Sequence, residues 1–281
     1  MTFTITNTLH LNRKVNKEGL FLEKGVVYVA VNPENSPAPF KFNSSNKRIN
    51  LEFSHSFLTF KKHHPEIPVT LFTDYEDLLD NPLEVDTVIE IKNDWGFIPK
   101  VYALNNSPHD KTVFLDCDTQ VNRPFPEIFK QLSSKDFLIS REYHNPDILN
   151  TGFFGVNSSR GFASKFLSTW LERMTAKKEL LIERYKKGET FGNKLPDDQG
   201  ELNHLLKLLK IEEPNPKIKK IQESLHGLDY SIIDNNVYNC REKQYLTNKK
   251  SGFDLSQTKI LHFRNLWRLN TLKFNTGNET N

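Results

Sequence analysis

Thr112-Val113-Phe114-Leu115 runs straight into Asp116-Cys117-Asp118. The run is too short for a helix, and its β-branched and aromatic residues read as a buried strand of a parallel sheet. Side chains alternate along an extended chain, so Asp116 and Asp118 project to one side and Cys117 to the other. Two carboxylates held together repel unless something cationic lies between them. In open α/β sheets the crevice at the carboxyl ends of the strands is where ligands bind. The leading reading of this segment is a divalent cation that carries a phosphorylated ligand.

The surrounding pattern supports that class of fold. Gly25 to Val31 is a continuous β-rich run and the best first core strand. Leu51, Ser54, Phe57, Leu58 and Lys61 recur at helical spacing between Asn50 and Lys62. Ile67 to Asp74 and Thr87 to Ile91 read as two further strands, and Gly96 to Asn106 as a helix leading into the Asp116 strand. This alternation predicts a doubly wound α/β unit. Beyond it, Phe137 to Ser140 and Thr151 to Val156 read as strands. Phe162, Phe166, Trp170 and Arg173 mark a long helix running on through Lys177 to Lys187, and Leu202, Leu205, Leu206 and Leu209 mark another starting near Asp198. No linker divides the chain. The expectation is a peripheral arm over residues 1–24, one domain over 25–268 and a polar tail over 269–281.

Composition narrows the partners. A formal charge of +3 over 281 residues, with lysines and arginines scattered, gives no nucleic-acid footprint. The only two cysteines, Cys117 and Cys240, make neither a disulfide framework nor a zinc site, and read as buried thiols of a reducing compartment. With no basic-then-apolar start and no stretch long enough to span a bilayer, a cytoplasmic location without a membrane segment is expected.

Three other segments bear on the chemistry. Asn150-Thr151-Gly152 places a carboxamide just ahead of a strand, with Gly152 allowing close backbone approach by a ligand; alone, it is an ordinary Asn-containing turn. Asp197-Asp198-Gln199 opens the leucine-striped helix. One carboxylate there is explained as an N-cap, but two are redundant, which leaves a functional role for one of them. Lys259-Ile260-Leu261-His262 is a short apolar strand ending in a histidine. Such a residue is usually structural, yet imidazole is a good third ligand for manganese.

Five segments in order carry a family resemblance: Phe97 to Leu104, Val113 to Thr119, Asn150 to Phe154, Asp197 to Asn203 and Ile260 to Phe263. Together they resemble the nucleotide-sugar glycosyltransferases of the GT-A fold, most closely family 8, the glycogenin and galactosyltransferase-like group, which implies a Rossmann-like α/β domain with a mixed, mostly parallel sheet flanked by helices. The likeness runs from about Gly25 to Trp267. It implies Asp116, Asp118 and His262 as ligands of Mn2+ or Mg2+, with Asp116 also near the ribose. Lys100 would hold the nucleotide, Asn150 the donor sugar, and Asp198 with Gln199 the transferred sugar, while Ala30, Val31 and Asn32 would line the base pocket. Asp197 stands beside Asp198 as a further catalytic candidate. The donor would be a nucleotide sugar, UDP-linked by family likeness, the acceptor a carbohydrate or other hydroxyl-bearing molecule, and the outcome retention.

The chain departs from the family after His262. Phe263-Arg264-Asn265-Leu266-Trp267-Arg268 stands where the family has a glycine and a phosphate-binding lysine, so Arg264 or Arg268 would have to supply that charge. Two other classes compete. A haloacid-dehalogenase-like phosphatase also uses Asp-x-Asp after an apolar strand, but wants Thr or Val where Gln120 stands. A sugar nucleotidyltransferase needs a glycine-rich loop where Asn32-Pro33-Glu34-Asn35-Ser36 has no glycine. A non-catalytic nucleotide-sugar-binding protein would carry the same residues as the enzyme.

Overall fold

The computed structural model describes residues 22–32, 49–92, 97–189, 197–250 and 255–263. The first half follows the predicted order, with one short unpredicted helix, α2, between the second and third strands: β1 (Leu22–Ala30), α1 (Ile49–His63), β2 (Val69–Thr73), α2 (Glu76–Leu79), β3 (Thr87–Glu90), α3 (Ile98–Asn105) and β4 (His109–Leu115). β1 reaches back to Leu22, into the segment expected to be a peripheral arm; the rest of that arm and the 269–281 tail lie outside the described residues. The second half continues with β5 (Thr119–Val121), α4 (Pro126–Leu132), β6 (Phe137–Arg141), β7 (Leu149–Asn157), α5 (Gly161–Lys186), α6 (Asp198–Leu208), α7 (Pro216–Ser224), β8 (Tyr230–Ile233), α8 (Asn235–Tyr238), β9 (Cys240–Arg241), α9 (Glu242–Lys250) and β10 (Ile260–His262).

Seven strands form the main sheet in the order β3-β2-β1-β4-β7-β6-β8. β7 runs antiparallel to β4 and to β6, and every other neighbouring pair is parallel. The Asp116 strand therefore has one parallel and one antiparallel neighbour, rather than sitting inside a wholly parallel sheet. From β1 the chain steps outward to β2 and β3, then returns to β4 on the other side of β1. That reversal is a topological switch point, and the crevice beyond the strand ends there is the expected ligand site of an open α/β sheet. A smaller sheet, β5-β10-β9, sits beside it.

Burial on both faces explains the unbroken apolar run of β1. Val27 and Phe114 face one core cluster with Phe154, Phe166 and Trp170, covered by α3, α5 and α6. Val26 and Val113, one position away, face the opposite cluster with Phe53, Phe57 and Phe60 of α1 and Ile128 of α4. Truncating a fully buried aromatic such as Trp170 costs about 3–5 kcal/mol in cores of this kind. This two-sided packing makes β1 and β4 a rigid platform for whatever their carboxyl ends carry. Among the described residues, no helix is long and apolar enough to cross a membrane.

Asn150 lies inside β7, not ahead of it. Its register explains the difference: Ile139 pairs with Phe154 while Ser140 pairs with Asn150, so β7 bulges against β6 over the intervening residues. A bulge re-aims side chains locally, which an alternation pattern cannot anticipate.

Candidate functional site

The Asp116-Cys117-Asp118 turn leaves β4 under several restraints. Asp116 N–H donates to Gly152 O at 3.2 Å, Phe263 N–H to Asp118 O at 2.8 Å, and the Thr119 hydroxyl to Asp116 O at 2.8 Å. Cys117 turns the other way, its Sγ 3.1 Å from Val29 O of the neighbouring strand. The two acids share a side, but through the turn that follows the end of β4 at Leu115 and not through strand alternation.

β5 begins immediately after the turn and pairs antiparallel with β10, which sets His262 opposite Thr119. A residue distant in sequence is thereby delivered to the two acids. His262 Nε2 lies 3.0 Å from Asp118 Oδ1 and 3.5 Å from Asp116 Oδ2. One ligating atom from each of Asp116, Asp118 and His262 falls within 4.8 Å of the others. The ring fits there because residue 152 has no side chain: a Cβ on Gly152 would stand 2.3 Å from His262 Cε1. The space expected to admit a ligand against the Gly152 backbone is taken by the imidazole.

Lys100 projects from α3 into the same place. Its Nζ is 3.2 Å from Asp116 Oδ1 and 3.0 Å from Asp198 Oδ2, and lies 4.6 Å from the centre of the Phe114 ring. The Thr151 hydroxyl donates to Asp198 Oδ2 at 2.6 Å, so Asp198 is a buried, doubly held carboxylate. Burial would lower the Lys100 pKa, but the charges of Asp116 and Asp198 outweigh it and raise it. Asp116 moves up as well. Burial is the largest cause, reinforced by Asp118 and Asp198 and opposed by Lys100 and His262. Asp116, Asp118 and Asp198 face a single ammonium, Lys100, and the imidazole of His262, which leaves room for a cation among the carboxylates. Two carboxylate oxygens and an imidazole nitrogen are also the donor set that suits a cation such as manganese, so these residues fit the ion that the resemblance implies.

The remaining predicted residues divide. Ala30 ends β1 at the switch point and Val31 and Asn32 follow it; Asn32 N–H donates to Asp74 Oδ1 at 2.6 Å and the Thr73 hydroxyl to Ala30 O at 2.7 Å. Asn150 is buried in a polar network with Glu142, Gly152 and Asn239. The Gln199 side chain lies beside Glu142 and helps to lower its pKa, while its carbonyl accepts from Asn203 Nδ2 at 2.7 Å. Asp197 is the exposed N-cap of α6, its carboxylate accepting from Gly200 N–H at 3.0 Å. Arg264 and Arg268 lie outside the described residues. Sequence reasoning missed Glu142 and Asn239. Neither sits in a pattern that marks it; only the bulge in β7 and the pairing of β9 with β10 bring them to the site.

The fold and site thus define a mixed α/β protein with an Asp-Asp-His cluster at the carboxyl-end crevice of its sheet. No protein-family model matches the sequence, and no curated protein does. Among solved structures, the chain is similar to the glycosyltransferase GlyE of Streptococcus pneumoniae TIGR4, at 13% identity and a TM-score of 0.46, over 85% of this chain and 55% of that one. The apo form of GlyE aligns at 16% identity and a TM-score of 0.47, over 85% and 54%. The galactosyltransferase LgtC, in complex with donor and acceptor sugar analogs, aligns at 10% identity and a TM-score of 0.48, over 86% of this chain and 87% of that one. The chain spans about half the length of the GlyE structures. Overlaps this loose carry no argument about activity, and the reading below rests on the site.

Proposed function

We propose that the chain is a metal-dependent glycosyltransferase of the GT-A type, related to family 8. It moves a hexose from a nucleotide sugar, UDP-linked, to a hydroxyl-bearing acceptor with retention, in the cytoplasm. The observation that carries this reading is the Asp116–Asp118–His262 cluster at the sheet's switch point. A diphosphate is a poor leaving group until its charge is neutralised, and a divalent ion bound to these three residues supplies that neutralisation as a Lewis acid.

The chain's own residues divide the remaining work. Asp116 and Asp118 hold their oxygens in a turn fixed by three backbone-directed hydrogen bonds, so little reorganisation is needed on binding. Asp198 is the carboxylate that offsets positive charge developing on the transferred sugar. Because Lys100 and Thr151 share one of its oxygens, it acts as a fixed charge rather than a loose nucleophile. Lys100 ties the acid that faces the cation to the acid that faces the sugar. Ala30, Val31 and Asn32 present the end of β1 to the nucleotide.

The test is turnover of UDP-sugars with and without Mn2+. Wild-type protein should transfer or hydrolyse a donor only with the cation, and Asp118→Asn should lower the rate by at least 100-fold, in line with removal of a group that stabilises the transition state. Metal-dependent nucleotide binding without turnover of any donor would instead assign a binding protein.

A further inference from the structure

His262 has two ring nitrogens, and only the one without a proton can bind a cation. Which one that is follows from a chain of buried hydrogen bonds beginning at two groups of fixed polarity. The Gly152 backbone N–H can only donate, and the Glu142 carboxylate, which accepts from the Tyr143 N–H at 3.0 Å and faces the Arg241 guanidinium at 3.9 Å, only accepts. Asn150 lies between them. Its Oδ1 faces Gly152 N at 2.8 Å and its Nδ2 faces Glu142 Oε2 at 2.5 Å. Reversing that amide would set donor against donor and acceptor against acceptor, so its orientation is determined.

Asn150 Oδ1 also meets the Asn239 side chain at 2.7 Å, and that partner must be a donor, Asn239 Nδ2. The second N–H of the same amide reaches Ser140 Oγ at 2.8 Å. Asn239 then has only its oxygen left to present, and Oδ1 stands 2.7 Å from His262 Nδ1. Nδ1 must carry the proton. That leaves Nε2, which faces the Asp118 and Asp116 carboxylates, as the nitrogen whose proton a cation can replace, and Asn150, Asn239 and His262 are each no more than 3% exposed, so water does not scramble the order.

We propose that Asn239 is a positioning residue for the cation site, locking His262 in its Nδ1-protonated form so that Nε2 serves as ligand. Asn150 and Glu142 orient Asn239 in turn. The inference rests on the metal-dependent reading above and assigns Asn150 to this relay, where the family resemblance would place it on the donor sugar. Outer partners that fix a ligating histidine's tautomer typically contribute 10- to 100-fold in metal affinity.

The test is calorimetric titration of Mn2+ into the UDP-bound 281-residue chain, beside metal-free melting curves. Asn239→Ala should weaken Mn2+ binding about 10- to 100-fold. Asn239→Asp, which keeps an acceptor against Nδ1, should recover most of that loss although it also loses both amide donors. A residue that merely supports the fold would not separate the two variants in this way. Equal Mn2+ affinity in wild type and Asn239→Ala, or no recovery in Asn239→Asp, overturns the relay while leaving the metal site standing. Wild-type protein that binds no divalent ion overturns the metal reading itself. Should Asn239→Ala fail to fold, the imidazole 15N spectrum of Cd2+-loaded wild type decides: a proton on Nδ1 of His262 supports the relay, and one on Nε2 overturns it.

Discussion

At the amino end of β4, opposite the acids, His109 is buried against Gly25, where a Cβ would fall 2.4 Å from its ring. Nε2 pairs with the Thr70 hydroxyl at 3.0 Å, and Nδ1 has no partner among the described residues. Burial pulls its pKa down from 6.5 to about 4. The unfolded chain takes up the proton first, so the neutral ring's contribution is intact above pH 6.5 and is lost as pH falls through about 4. The shift corresponds to about 3 kcal/mol at most. Urea unfolding at neutral pH and near pH 4 should show wild type losing up to that much more stability than His109→Gln across the interval. An identical acid response in both would mean that the ring is accessible to protons in the fold. His109 is a residue whose sequence neighbourhood says nothing; its burial follows from three strands meeting over one glycine.

Between elements, the decisive contact is β7 against β10. Gly152→Ala should leave the sheet's hydrogen bonds in place yet push the imidazole off the two acids, and metal affinity should fall well before thermal stability does. Asp197→Ala provides the contrast. It removes the α6 cap at a cost of about 1 kcal/mol and should leave donor turnover nearly unchanged, whereas a collapse in turnover would give Asp197 a place in the chemistry. Elements with a strong periodic signal were readable in advance, among them β1, α1, β2 and α5. β5 and β9 were not: at three and two residues they express no periodicity, and unlike the three-residue β10 neither is an apolar run. Those small strands are what bring His262 and Asn239 to the acids.

For the molecule as a whole, the alternation of apolar runs predicts an α/β sheet flanked by helices, and the structure has one. The antiparallel insertion of β7 was not legible, since a strand buried on both faces reads alike in either direction. The same limit applies to the site. Asp116 and Asp118 announce themselves by following an apolar strand, and His262 by ending one. The relay through Glu142, Asn150 and Asn239 has no sequence signature, because it depends on a bulge and on amide orientations that only three-dimensional packing sets.

The central claim is that Asp116, Asp118 and His262 converge on one cation. Anomalous diffraction from crystals grown with Mn2+ and UDP tests it directly. A single manganese peak should lie within ligand distance of both carboxylates and of His262 Nε2, beside density for the diphosphate. Manganese bound elsewhere, or diphosphate held in this crevice with no metal between the three side chains, would contradict it.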